Sequence, residues 1–292
     1  MTGSRKSISV KSTQCINYFF IFRQIDDLFL FCDMIDKTHE SYKIIAEGNQ
    51  NYLSNLAVDN VIFGYHEKEL KVLLLRNPNL SPWMLAGGYI KKTESAEDAA
   101  DRVAKERTGL DDLFLQQFKV FSTPGRNLDP HLTPELLSKL AGKKIDENHW
   151  MFAPVVSIAF YTLTEFSKVV TDGSYHDEEC KWWDVNTLPE LFQDHKQIII
   201  EALKALRLHI YHYPIGYELL PEKFTLPEIY NLYQAILGKQ IDDRNFTRKL
   251  MSLGIITKLN EVKNSTGHRP PILYIFNKEI YNQALEDGIF IF

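Results

Sequence analysis

The most chemically loaded stretch of this 292-residue chain runs from Gly88 to Leu110. Within it, Glu94 precedes, and Arg102 and Glu106 lie on, a segment that starts at Ser95 and stops at Gly109, as a helix would. Carboxylates at helical spacing can hold a hard divalent cation such as Mg²⁺, which neutralises phosphate charge and positions water against a phosphoanhydride. Positions 103, 106 and 107 are spaced i, i+3 and i+4, so they share one face. That face carries a single carboxylate, Glu106, beside an apolar Val103 and a cationic Arg107. A guanidinium there repels a divalent cation and can replace its charge. The helix has the frame for phosphate chemistry without the metal ligands.

A second concentration of chemistry lies near the C-terminus. Asp242 is placed as the N-cap of a helix running to Leu253 and ended by Gly254. Phe246, Leu250 and Leu253 fall at i, i+4 and i+7 and face inward. That turns Arg244, Thr247 and Arg248 outward, flanked by Asn245 and Lys249. Lys258, Lys263, His268 and Arg269 belong to two alternating segments, 255–259 and 272–276, and the loop between them, which together read as a hairpin. From 244 to 269 there are six Lys/Arg against one acidic residue, Glu261, whereas residues 215–292 hold nine of each sign, so the positive charge is local. Helix, turn, helix and hairpin is the order of a winged helix, which reads DNA with its second helix and rests a basic wing on the phosphates. A solvated helix face on a protein-docking module accounts for the same charges and stays open.

The elements that position these groups are legible around them. Residues 56–63 and 70–75 read as strands about a turn at 66–69, and a short strand at 83–88 leads into the Gly87–Gly88 pair. Further strands are expected at 114–122, 155–163 and 180–185. Ser95 with Asp98 makes an N-cap pairing, and Ala99, Ala100 and Val103 give that helix an apolar side. Residues 131–150 suggest an inserted helix. Ile198, Ile199, Ala202, Leu203, Leu206 and Ile210 predict a helix over 195–212 that closes the first domain. Pro214–Gly216 marks a boundary, and Thr225 with Glu228 makes a capping box for the next helix. The mixed order of strands and helices gives an α/β sandwich around a mixed sheet, followed by a winged helix-turn-helix.

Composition sets the outer bounds. At 45% hydrophobic and 24% charged residues the chain is that of a soluble globular protein, and its length suggests about two domains. A net charge of −5 excludes a chain that is basic throughout. Cys15, Cys32 and Cys180 lie far apart with no metal-type spacing, which fits a reduced, cytoplasmic setting. Residues 1–50 are set apart as an N-terminal extension. Arg5, Lys6 and Lys11 precede an apolar run at 15–22 that mimics a signal peptide. Arg23, Asp26 and Asp27 interrupt it, no small-residue cleavage site follows, and no run reaches the ~20 residues that span a bilayer, so no membrane partner is expected. Translation from Met34 and a docked N-terminal helix both account for the extension.

Gly88, Glu94, Arg102, Glu106, Gly109 and Leu110 fall at the positions of a Nudix box with its spacings intact, while Val103 and Arg107 replace two of its carboxylates. In this frame the chain resembles the Nudix family. Trp182–Val185, Asp194–His195 and above all Phe224–Glu228 with Arg244–Leu250 extend the likeness over about 52–285 to the Nudix-related transcriptional regulators. In these a degenerate Nudix domain senses a small molecule and a C-terminal winged helix binds operator DNA. The resemblance implies a Nudix-type sandwich over 51–212 as the effector-sensing domain and a DNA-binding domain over 213–292. It also implies a homodimer, a pentose or an ADP-ribose-like effector, no cofactor or metal, and no catalytic residues beyond the remnant box of Gly88, Glu94, Arg102 and Glu106.

Nucleotide-binding relatives carry an Arg-Asp-Pro-Arg loop that engages phosphates. Here Gly125–Pro130 retains Arg126, and His131 replaces the second arginine. Arg126 and Asp129, with Tyr161 and Trp182 as stacking rings, are therefore the expected effector site. Arg126 as an exposed loop residue, the rings as plain core and His195 as a mere helix start stay open. Two rival functions remain: a Nudix hydrolase of nucleoside diphosphate derivatives using Glu94, Glu106 and carboxylates outside the box, and a protein-binding adaptor.

Overall fold

A long strand, β1 (Tyr52–His66), is the spine of the first part of the molecule. Val61 and Phe63 enter one core, and Val58 and Ile62 enter others on the opposite side. This is the period of two that a sheet covered on both faces requires. The computed structural model describes residues 40–77, 81–166, 178–264 and 270–288. The apolar run at 15–22 and the choice of start at Met34 lie outside the described residues.

Around β1 the sheet adds β2 (Glu69–Arg76), β3 (Ala86–Lys91), β4 (Gln116–Phe121), β5 (Val156–Glu165) and β6 (Glu179–Asp184). The order is β4-β5-β1-β2-β6, with β3 also paired to β1. β1 and β5 run parallel and the other pairs antiparallel, so the sheet is mixed, as expected. The strand expected at 83–88 sits later. Trp83 and Met84 make only isolated bridges, to Leu191 and Leu75.

Helix α1 (Glu40–Asn51) forms the end of the extension, and its Ile45 shares a small core with Leu137 and Ala141 of the inserted helix α3 (Pro134–Ala141). Helix α2 (Ala96–Thr108) packs Ala99, Ala100 and Val103 with Val58, Ile90 and Phe160 on one face of the sheet. On the other face, α4 (His195–His209) packs Ile198, Ile199, Ala202 and Leu206 with Val61, Phe63 and Ala159. The result is the expected α/β sandwich.

The second part follows the winged-helix order. It comprises β7 (Phe224–Thr225), α5 (Leu226–Leu237), α6 (Asp243–Ser252), β8 (Ile256–Val262) and β9 (Ile272–Phe276). The three strands form an antiparallel sheet in the order β7-β9-β8. Thr225 and Glu228 form the capping box that starts α5, and Gly238 ends it at φ 66°, a left-handed conformation that suits glycine. Asp242 caps α6 through the Asn245 N–H, and Phe246 packs against Tyr233. Helix α7 (Lys278–Asp287) was not anticipated, although Asn277 caps it as an N-cap asparagine should.

Candidate functional site

Two caps fix the register of α2. Ser95 Oγ accepts the Asp98 N–H at 3.0 Å while the Asp98 carboxylate accepts the Ser95 N–H, and Gly109, at φ 71°, donates to the Lys105 carbonyl. That register sets Arg102 in an ionic net. Its Nε and Nη2 donate to the two oxygens of Glu94 at 2.9 and 2.6 Å, and its Nη1 donates to Glu106 at 2.8 Å. Lys91 Nζ lies 3.9 Å from the other Glu106 oxygen, and the Lys91 N–H donates to Glu94. Burial pushes the Glu94 carboxyl up, but the hydrogen bonds from Arg102 and Lys91 and their charges outweigh it and hold the group below the usual range.

The other two box positions have left carboxylate chemistry altogether. Val103 is buried against Gly88, where a Cβ would stand 2.8 Å from the valine Cγ2. Arg107 turns away from the remnant glutamates. Its Nε and Nη2 donate to Glu178 at 3.0 and 2.5 Å, while Nη1 donates to the Gly87 carbonyl at 2.8 Å and reaches that of Leu85 at 3.4 Å. The two side chains are only 12% and 5% exposed, so the pair is largely desolvated.

The Nudix frame implies Mg²⁺, and this donor set does not fit it. Each retained glutamate already neutralises Arg102, position 103 is packed hydrocarbon, and position 107 presents donors rather than oxygen ligands. Among the described residues, no three His, Cys, Asp or Glu side chains converge as metal ligands.

The expected effector residues are not brought together. Arg126 is not an exposed loop residue: its side chain is 3% exposed and forks onto Asp194 at 2.9 and 2.8 Å, with Asp59 at 3.4 Å. Its charge is thereby committed to protein carboxylates. The Asp129 carboxylate accepts the N–H groups of His131 and Gln193, both at 2.8 Å, which ties the 125–131 loop to the turn before α4. These residues border an open recess of about 420 Å³.

Tyr161 is elsewhere. Its hydroxyl bonds His209 Nδ1 near the end of α4, and it lines a separate cavity of about 310 Å³ with Tyr213, Tyr217 and Tyr281. Trp182 is on the opposite face of the sheet, stacked on Phe166 and covering Gly64. The alternation of strand side chains separates the two rings.

His195 is more than a helix start. Its Nδ1 accepts the Leu85 N–H at 3.0 Å, and its Nε2 lies 3.6 Å from Asp59, which also accepts from Ser157 Oγ at 2.5 Å. Burial pushes the His195 pKa down, although the nearby Asp59 and Asp194 charges oppose the shift. Sequence reasoning missed the roles of Asp59, Glu178 and Arg207. A carboxylate between the apolar Val58 and Val61 of a strand was the available signal for Asp59. Arg207 Nε donates to the Ile236 carbonyl of α5 at 2.8 Å and passes where a Cβ on Gly238 would stand, 2.6 Å away. Thus α4 is held at its start by Arg126 on Asp194 and near its end by the winged helix.

On α6, Phe246 and Leu250 are buried, while Arg244, Asn245 and Arg248 are exposed and Thr247 and Lys249 half-buried. Arg248 bonds only Asn245, at 2.5 Å, and Arg244, Lys249 and Lys258 make no ion pair among the described residues. Lys263 pairs with Glu228 of the capping box at 2.5 Å. His268 and Arg269 lie outside the described residues. Also among the described residues, no helix is long and apolar enough to cross a membrane.

A sandwich with the remnant box on α2, followed by a strand-helix-helix-hairpin unit, defines a Nudix domain joined to a winged helix. Residues 54–203 match the NUDIX domain and residues 216–276 match the NrtR DNA-binding winged helix domain. The first match covers just over half of the chain, and the protein belongs to the Nudix family. It is similar to the ADPR responsive transcriptional repressor NtrR of Acinetobacter baylyi, 25% identical over 78% of this chain and 84% of that protein. An ADP-ribose pyrophosphatase of Methanocaldococcus jannaschii is 29% identical over 51% of this chain and 73% of its own. Among solved structures, Shewanella oneidensis NrtR complexed with a 27mer DNA matches at 25% identity and a TM-score of 0.58, covering 78% of this chain and 95% of that one.

Proposed function

We propose that this protein is a transcriptional repressor whose affinity for operator DNA is set by ADP-ribose or a close nucleotide relative, which it binds and does not hydrolyse. The observation that carries the reading is an ion pair, Arg107 with Glu178, in place of metal ligands in a Nudix domain joined to a winged helix. Likeness to a repressor named for its ADP-ribose response favours a nucleotide over a pentose as effector. Residues 51–212 form the sensing domain and 213–292 the DNA-binding domain.

In this reading α6 enters the major groove with Arg244, Asn245, Thr247 and Arg248, and the wing between β8 and β9 lies on the backbone. The protein acts as a homodimer whose two reading heads match half-sites about one helical turn apart. Helix α4 transmits the signal. A shift of the Arg126 loop moves Asp194 at its start, and Arg207 carries the displacement to the end of α5. The experiment is operator binding at fixed salt titrated with ADP-ribose, followed by recovery of the nucleotide. The expected result is at least a fivefold change in operator affinity, a coupling of about 1 kcal/mol, with ADP-ribose returned intact. Turnover at ordinary enzyme rates, about 1 s⁻¹ or faster, would make the protein a hydrolase instead.

A further inference from the structure

We infer that Arg107 takes over the role of the missing metal: it is a fixed cation that binds the diphosphate of the effector directly, in competition with Glu178. The inference rests on the reading of the first domain as a nucleotide sensor. Its ground is the geometry of one guanidinium. Nη1 is anchored on the Gly87 carbonyl at 2.8 Å, with the Leu85 carbonyl at 3.4 Å, and this fixes the plane of the group. The opposite edge, Nε and Nη2, is the one that Glu178 occupies at 3.0 and 2.5 Å. An arginine fork takes a carboxylate or a pair of phosphoryl oxygens with the same parallel geometry. Two anions can therefore exchange on that edge while the anchored nitrogen stays in place.

The other cations near the box are also paired, but with carboxylates of the box itself or of the turn before α4. Arg102 is divided between Glu94 and Glu106, Lys91 adds to Glu106, and Arg126 is forked on Asp194. Arg107 takes its carboxylate from 71 positions away, from Glu178 at the approach to β6, much as Arg126 takes Asp194 from 68. Arg107 alone of these cations, however, sits on the box helix with one nitrogen anchored on the carbonyls of Leu85 and Gly87. Releasing Glu178 leaves α2 and β3 held by their own contacts. The box frame also places Arg107 at a position where metal-dependent relatives carry a ligand for the ion that neutralises the diphosphate. The site thus supplies its own counter-charge. Glu178 is a tethered competitor that raises the ligand concentration at which the site fills.

The test is direct binding of ADP-ribose and of inorganic pyrophosphate to the full chain, each in excess EDTA and in Mg²⁺. ADP-ribose affinity should be the same in both. Glu178→Gln should tighten both probes at least about fivefold, and Arg107→Gln should weaken both by about tenfold, the scale of one lost bond to a charged group. Circular dichroism and cooperative denaturant unfolding verify that each variant is folded, and if Arg107→Gln fails to fold, Glu178→Gln decides alone. A strict Mg²⁺ requirement, no tightening in Glu178→Gln, or wild-type affinity in a folded Arg107→Gln overturns the inference. If neither probe binds any form while another small molecule releases the operator, this inference falls and the repressor reading stands. If both probes follow the expected pattern and no DNA is bound, the reverse holds.

Discussion

The Nudix helix α2 and the second helix of the winged helix, α6, both carry a pair of arginines, and they use them in opposite ways. On α2, the side chains of Arg102 and Arg107 are largely buried and matched to Glu94, Glu106 and Glu178, so each charge is answered within the protein. On α6, Arg244 and Arg248 stand in solvent, with a single neutral partner, Asn245, between them. A charge answered internally contributes to architecture, and its loss leaves a partner stranded in low dielectric. A charge left unanswered contributes little to folding and remains available to an external polyanion. Position on the helix decides which: Arg107 points at the sheet, whereas Arg244 and Arg248 lie opposite the buried Phe246 and Leu250.

The contrast predicts a separation of effects. Arg107→Ala should cost about 3–5 kcal/mol of folding stability, because Glu178 is left buried and alone, as read by denaturant unfolding. Replacing Glu178 as well, by leucine, should recover part of that loss. A cost below the surface range for Arg107→Ala would erase the distinction between the helices. Arg244→Ala and Arg248→Ala should leave unfolding nearly unchanged and weaken operator binding by about 1–3 kcal/mol each, if each reads a base edge.

Lys263 falls between the two classes, since it lies in the wing yet pairs with Glu228. As a half-exposed pair it should contribute about 0.2–1 kcal/mol to stability. Its removal should also lower the salt slope of DNA binding by about one. No change in the slope would place Lys263 with the internal charges.

The smallest effect is a pH dependence in the Nudix domain. His195 is buried, and its pKa is held below the ordinary histidine value. The unfolded chain therefore takes up a proton first as pH falls. Stability is complete above the ordinary histidine range and declines as pH drops through it. His195→Gln should flatten this part of the stability profile, and an unchanged profile would assign it to another group.

Local signals carried much of this architecture. The Ser95 and Thr225 caps, the Gly109 and Gly238 stops and the apolar periods of α2, α4, α5 and α6 each lie within a few residues of the element they define. The long-range ion pairs do not. Arg126 and Asp194 are 68 positions apart, Arg107 and Glu178 are 71, and neither pairing has a spacing that could announce it. Arg126 therefore reads as a loop or phosphate residue, and its pairing with Asp194 is legible only in the fold. Tyr161 and Trp182 fall on strands, as the pattern predicts, but their opposite faces, which set them apart as stacking rings of one site, emerge only from the register of β5 on β1 and β6 on β2. Helix α7 escaped because its mixed composition gives a weak period, although the Asn277 cap marked its start.

The packing around Arg107 also bears on the direction in which such a domain can change over generations. A return to metal chemistry needs glutamate at 103 and 107 together, and each step alone is penalised. Val103→Glu drives a carboxylate into the apolar cluster of Val58, Ile90 and Phe160, against the backbone of Gly88. Arg107→Glu confronts the buried Glu178 with a like charge and removes the donor that fixes the Gly87 carbonyl. Neither intermediate holds an ion that would compensate. The pair thus works as a ratchet: each single substitution back toward a metal-binding box buries a new charge or strands an old one.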